Sequence, residues 1–513
     1  MKIKHKSMMM ITYLYILVPI MIFFVTWLKN YIGIPMLVIL SYGFYKLYKD
    51  NYKYEKKYME ISYKKILVLI LFVFFITYLS GQGGFYFQYN DNNWRNAVYH
   101  DLIDYKWPVI YENTTGNSLV YYIMYWIFPA FISKVFVNFS NGFIIARIIL
   151  FIWTFIGIML VMLLLLNYLK AEKKKAFYIV LFVFLGWSGI NIIGSIIYNT
   201  LGLSDFALNT YLWWTNFIVD NQPYSYMYRS NFDQLASVYN QTIVPWMIVI
   251  LIMENRRIKN FAFLGLCALP YAPLPFLGIF MFMVAIAIPY YYKNCYEENK
   301  YKEAIKETLS IPNICSICTI FIVFFFYFRC NVAYSEGVGA VKNGFYVPLK
   351  EYTPFRIITL MLFYILSFGI YMFIIRQDYK KDYLFKVFAI LLIIIPFFRI
   401  GNLAEFCWNV SAPIYFLVMM YVIKYMIKKI EIDKMINYNV VMLIVCLSLA
   451  YLNPISQVAF GAKIAIKEKT VLLMTDNVKT FSDKQVFDKN VEFTYNFVCP
   501  EPKEKFFYKY LAK

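Results

Sequence analysis

Between Asp91 and Asp104 the chain places three carboxylates, one arginine and one histidine: Asp91, Arg95, His100, Asp101 and Asp104. A carboxylate held at a membrane surface can take a proton from an acceptor hydroxyl, which is general-base chemistry. Asp91 is the first candidate for that role and Asp101 the second. The competing reading of Asp91 is structural, because Asp at a helix start accepts from backbone N–H groups. If NNWRNAVYHDLIDY is helical, Asp101 and Asp104 share a face. Burial would raise the pKa of Asp91 and a nearby Arg95 would lower it.

Arg229 and Arg399 are the sparse cations of two later polar segments. Each suits a bidentate grip on the phosphate of a lipid-linked substrate, or a pairing with lipid headgroups. Trp213 and Trp214 offer flat faces to sugar C–H groups, although tryptophan is also an ordinary interfacial anchor. Nothing resembles a nucleotide cradle, a nucleophile elbow or a zinc signature. The chain has two histidines, His5 and His100, too few for a histidine-rich metal site. Cys315 and Cys318 form a C-x-x-C inside an apolar run and read as small buried thiols. An activated donor should therefore arrive through the membrane.

The elements that must position these groups are apolar. The 513 residues are 61% hydrophobic and 16% charged, well under the quarter usual in soluble domains. Apolar runs recur along the whole length, so the chain reads as an all-α polytopic membrane bundle. The net charge of +20 resides in short lysine-rich turns between alternate runs. That is the cytoplasmic bias of membrane proteins and not a nucleic-acid surface.

About thirteen spans follow, near 10–28, 31–48, 66–80, 143–169, 176–194, 236–253, 260–272, 274–292, 309–328, 354–375, 385–398, 414–428 and 438–453. The N-terminus MKIKHK lies inside as the start of a retained signal-anchor helix, and the C-terminus outside. Residues 118–139 break the count. Read as a span, they would place KAEKKK outside, so they are expected to lie along the outer surface as an amphipathic or re-entrant helix. The outer side then carries three polar segments. The last of the chain, with Phe506, Phe507, Tyr508 and Tyr510, reads as a small outer cap.

Three stretches together resemble a family of bacterial membrane proteins related to the GT-C glycosyltransferases. In the first loop Asp91, Asn96, Asp101, Leu102, Ile103, Trp107, Pro108 and Val109 fit the family pattern, with Arg95 where the family has histidine. Trp213, Trp214, Ser230, Asn231, Gln241, Pro245 and Trp246 fit a second segment. In a third, Phe406, Ser411 and Pro413 fit, with Glu405 in place of an aspartate and Asn409 in place of an arginine.

The resemblance implies two added N-terminal helices and a basic loop (1–65), a GT-C-like core (66–453) with juxtamembrane helices in its first outer loop, and a small outer segment (454–513). It also implies an inverting transfer of sugar from a polyprenyl-phosphate donor to a glycan or lipid acceptor at the outer face of the cytoplasmic membrane. Asp91 is then the expected base. Arg95, Arg229, Arg399 or a divalent ion would stabilise the departing phosphate. Asn96, Trp213, Trp214, Asn231, Gln241 and Glu405 would line the substrate site. The alternatives are a flippase for lipid-linked saccharides, a polysaccharide polymerase and a noncatalytic assembly protein.

Overall fold

The computed structural model describes residues 2–53, 57–89, 91–139, 142–200, 215–219, 222–331, 344–346, 353–400, 405–469, 478–485 and 494–513. Trp213 and Trp214 lie outside these residues, as do Asp205, Asp220, Glu336 and Lys342.

The chain is predominantly helical. Its helices are α1 (His5–Trp27), α2 (Asn30–Tyr52), α3 (Tyr63–Leu79), α4 (Asp91–Asp104), α5 (Met124–Ser133), α6 (Gly142–Tyr168), α7 (Lys174–Gly186) and α8 (Asn191–Thr200). There follow α9 (Asn231–Val238), α10 (Ile243–Asn255), α11 (Phe261–Ala268), α12 (Pro273–Tyr291) and α13 (Tyr301–Thr308). The last are α14 (Ile311–Phe328), α15 (Ile357–Tyr379), α16 (Tyr383–Phe397), α17 (Glu405–Ile432) and α18 (Tyr438–Glu468).

Among the described residues eight helices are long and apolar enough to cross a bilayer, or nine if the bent pair α9–α10 counts as one span. The expected thirteen included four that do not meet that length and composition. The C-terminal half of α2 is polar, α3 has 17 residues, and α11 and α16 are shorter still. At 1.5 Å per residue α3 covers about 25 Å, against roughly 30 Å of hydrocarbon.

Burial ranks the helices. The apolar window of α17 is 89% buried and that of the segment beginning with α12 only 33%, so α17 is the axis and α12 a wall. The outward faces remain apolar. Ile144, Ile148, Ile152 and Ile156 on α6 form a four-residue-spaced stripe that is exposed, as a lipid-facing helix requires. Helix α1, expected as an addition to the core, buries Leu17, Ile20, Phe23, Phe24 and Trp27 fully on one face and exposes Ile11, Leu14 and Val25 on the other.

Two expected boundaries differ. The span near 438–453 continues as helix to Glu468, through the position expected to end the core. Residues 118–139 hold α5, extended by a 3-10 turn to Phe136 and too short to cross a bilayer. Its C-terminal end is open, with Phe131 and Val135 exposed. Met124, Tyr125, Trp126, Ile127 and Ala130 are all fully buried, because α5 rests on α1, α4 and α6.

Small two-stranded ladders tie the loops. Strands β1 (Lys2–Lys4) and β2 (Tyr58–Glu60) pair, as do β3 (Ser118–Leu119) with β8 (Val498–Cys499), β4 (Thr215–Val219) with β5 (Gln222–Tyr226), and β6 (Gly344–Phe345) with β7 (Phe398–Arg399). All are antiparallel. In the C-terminal segment Phe507 and Tyr508 are buried, while Phe506 and Tyr510 are about half exposed.

One close helix contact is glycine-dependent. A Cβ on Gly278 of α12 would lie 2.1 Å from the Val410 carbonyl oxygen of α17. Small residues permit this backbone approach in bilayers. Gly278→Ala is expected to destabilise the fold by about 1–3 kcal/mol, the usual cost of overpacking, seen as a lower unfolding temperature in detergent.

Candidate active site

Glycines shape the entry to α4. Gly81, Gly83 and Gly84 have φ of 79°, 70° and 77°, values that disfavour a side chain. A Cβ on Gly81 would sit 2.4 Å from the Phe87 carbonyl oxygen. Side-chain amides then fasten this turn to α9. Gln82 Nε2 donates to the Leu235 carbonyl at 2.6 Å, and Asn92 Nδ2 to the Ala236 carbonyl at 3.2 Å.

Asp91 is the first residue of α4 and its side chain is 59% exposed. Its Oδ2 lies 3.8 Å from Nη2 of Arg95, one turn on. Arg95 is buried and its Nη1 donates to Asn92 Oδ1 at 3.2 Å. Burial works against the guanidinium charge, but Asp91 and the hydroxyls of Tyr121, Tyr122 and Tyr239 outweigh it and hold the pKa above its ordinary value. Among the described residues the Arg95 Nε has no hydrogen-bond partner, so one buried donor of this cation remains for a ligand.

Glu405, the first residue of α17, is exposed at its side chain. The charges acting on it are those of Asp91, Arg229 and Arg95. Those three charges, from α4 and the approach to α9, therefore lie within electrostatic range of the Glu405 carboxylate. Arg399 is not among them; it is half-buried on β7, paired with Gly344.

Arg229 is 7% exposed. Its Nη1 donates to Asp233 Oδ2 at 3.3 Å, and the guanidinium lies 5.1 Å over the Trp408 ring. Asp233 also accepts from Ser237 Oγ at 2.8 Å and Gln457 Nε2 at 3.4 Å. Ser230 Oγ caps α9 by accepting from the Asp233 N–H at 2.9 Å.

Tyrosines form the opposite wall. The rings of Tyr121 and Tyr122 lie 3.6 Å apart and their hydroxyls hydrogen-bond. Gln241 Nε2 donates to the Tyr122 hydroxyl at 3.2 Å. Gln241 reaches this point because α9 and α10 meet at 100°. Pro245, which cannot donate to the Gln241 carbonyl, stands just inside α10. The same tyrosine pair closes one end of a cavity of about 320 Å³ whose other lining includes Leu274, Leu277, Phe324, Phe328 and Arg329. It is an apolar channel between α12 and α14.

Other expected site residues lie elsewhere. Asn231 Nδ2 donates to the Phe184 carbonyl at 2.9 Å, so this amide ties α9 to α7. Asn96 faces a separate recess of about 250 Å³ with His100 and Lys479, and donates to Gln88 Oε1 at 2.9 Å. Asp101 is fully buried about 15 Å along α4 from Asp91. It accepts from the Tyr111 hydroxyl at 2.7 Å and the Phe481 N–H at 2.9 Å. It shares His100 with Asp104, Nδ1 lying 4.0 Å from Asp101 Oδ1 and 3.1 Å from Asp104 Oδ2, but Asp104 is partly exposed where Asp101 is buried. The geometry gives Asp101 a fastening role, between α4 and the C-terminal segment.

That role carries a pH signature. Burial pushes the Asp101 carboxyl up to about 6 from 3.8, against hydrogen bonds from Thr480, Tyr111 and the Phe481 N–H and the charge of His100. A raised folded pKa means the contribution is complete below the unfolded pKa and is lost as pH rises through the folded one. The loss between pH ~4 and ~6 is roughly 3 kcal/mol. Asp101→Asn, whose oxygen accepts the same bonds without titrating, is expected to flatten the unfolding temperature across that window.

No family model, curated protein or solved structure matches this chain. Tyr121, Tyr122, Tyr239 and Asp233 are site-wall residues that sequence reasoning did not single out as ligands. Only the i,i+4 spacing of Arg229 and Asp233 was a legible signal.

Proposed function

We propose that the chain is an inverting glycosyltransferase of the GT-C type, with Asp91 as base and a sugar donor carried on a polyprenyl phosphate. The observation that supports it is the set of charges acting on Glu405, those of Asp91, Arg95 and Arg229, together with a tyrosine pair that also lines an apolar cavity. A donor with a long hydrocarbon tail and a charged head needs that combination. The tail lies between α12 and α14, and the phosphate reaches the Arg95 and Arg229 side.

Asp91 takes the proton of the acceptor hydroxyl as its oxygen attacks the anomeric carbon. The sugar–phosphate bond breaks on the far side, and the prenyl phosphate leaves with the bond electrons. Arg95, held cationic by Asp91 and the tyrosines, meets that developing charge. Among the described residues no three His, Cys, Asp or Glu side chains gather around one point.

The test is incubation of the purified protein with native lipid extract and labelled acceptor. Transfer with inversion at the anomeric carbon is expected. Translocation of lipid-linked sugar in vesicles without any transfer would overturn the reading in favour of a flippase. Long-chain products would redirect it to a polymerase.

A further inference from the structure

We propose that Cys330 and Cys499 form a disulfide that staples the C-terminal segment to the end of α14. Both are free thiols in this structure. The two are 3% and 0% exposed and act electrostatically on each other, while Cys330 Sγ donates to the Phe326 carbonyl at 3.2 Å and Cys499 Sγ to the Pro500 carbonyl at 3.3 Å. They are 169 positions apart in sequence, so only the fold brings them together.

The surrounding backbone is fixed from several sides. Cys499 is on β8, opposite Ser118 of β3. Asn331, next to Cys330, donates from Nδ2 to the Val120 carbonyl at 2.8 Å and the Asn496 carbonyl at 2.9 Å. Tyr508 and Tyr327 hydroxyls both reach the Leu119 carbonyl, at 3.3 and 3.4 Å. Neighbouring thiols on two segments tied together by these bonds are placed to close the roughly 2.05 Å of an S–S bond by turning away from their carbonyl acceptors.

The compartment is the second argument, and it rests on the proposed topology alone, not on the catalytic reading. Phe497, two residues before Cys499, stacks on Trp94 of α4, so the pair sits at the same end of the bundle as Asp91. On the expected orientation that end is outside the cytoplasmic membrane, where disulfides form and persist. The six other cysteines have no comparable arrangement among the described residues. The C-x-x-C pair has Cys318 on an exposed face of α14 and Cys315 turned inward against Gly43.

The chemistry is thiol–disulfide exchange with an external disulfide carrier. The Cys330 thiolate attacks one carrier sulfur and releases the other as a thiolate. The Cys499 thiolate then attacks Cys330 Sγ in the mixed disulfide and releases the second carrier thiolate. Two protons and two electrons leave the chain, and the carrier disulfide is reduced to two thiols. Because both sulfurs are buried once β8 has docked, the exchange belongs to the stage before docking is complete.

The test needs no variant. Membranes are acid-quenched, denatured and alkylated to block free thiols, then reduced and labelled with a polyethylene-glycol maleimide. The expected result is a two-step mobility shift that requires the reduction, with all but two of the eight cysteines blocked beforehand. A cross-linked peptide pair carrying Cys330 and Cys499 should appear by mass spectrometry before reduction and vanish after it. Cys330→Ser and Cys499→Ser should each abolish the shift. Complete alkylation of all eight cysteines without reduction overturns the proposal, as does a shift that survives either serine variant. Neither result bears on sugar transfer, which is assayed separately.

Discussion

Asp91→Asn is expected to lower sugar transfer from native lipid extract by roughly 10²–10⁴-fold, the range supplied by a positioned base. Asparagine keeps the shape of the side chain but cannot take a proton at neutral pH. The fold should survive, since Asp91 is 59% exposed and its contact with Arg95 is a loose 3.8 Å. Only Arg95 of this pair is buried, and a contact this long to a solvent-exposed carboxylate contributes about 1 kcal/mol. Arg95 also keeps its bond to Asn92, so donor binding should change little and the loss should fall on kcat. Asp91→Glu is expected to restore part of the rate, and Asp104→Asn to leave it unchanged, because Asp104 pairs with His100 instead. Undiminished transfer by Asp91→Asn would remove this carboxylate from the mechanism.

Arg229→Ala is expected to cost the fold about 3–5 kcal/mol, the penalty for leaving a buried charge without its partner. Asp233 is 1% exposed, and Ser237 and Gln457 offer it only neutral donors. The Trp408 ring also loses the cation lying over it. The measurement is the unfolding temperature and monodispersity of the detergent-solubilised protein. Adding Asp233→Asn should recover most of the lost stability, because it removes the stranded charge. If Arg229 also holds the donor phosphate, the stable double variant remains poor in transfer while Asp233→Asn alone does not. Equal activity of the two would confine Arg229 to structure.

The helices were legible in the sequence because their apolar runs are uninterrupted: the run near 143–169 is the helix Gly142–Tyr168. Asp91 and Arg95 were legible as a pair because four residues make one helical turn. The fate of Asp101 was not. Its side chain is decided by Phe481, 380 positions later, and no local pattern announces that docking. Asn231 was expected as a ligand because Ser230 and Asn231 match the Ser-Asn segment of the family that the chain resembles. The same dipeptide serves as a helix cap and a tie to Phe184. The bend at Gln241 was hidden as well, since an apolar run with one proline reads equally as a straight or a broken span. Burial, too, misled: α5 is apolar on every side, and periodicity cannot distinguish a helix sunk among its neighbours from one floating at an interface.

The seam at Gly278 has a mechanical corollary. Helix α12 contributes Leu274 and Leu277 to the apolar channel, and a turn away its backbone abuts Val410 of α17. Glu405 is little more than one turn before Val410 on that axis. Backbones without an intervening side chain have no slack to absorb a displacement. Pressure from hydrocarbon wedged between α12 and α14 would be delivered to the helix start that carries the acid, so a loaded tail and the stance of Glu405 behave as one gear train.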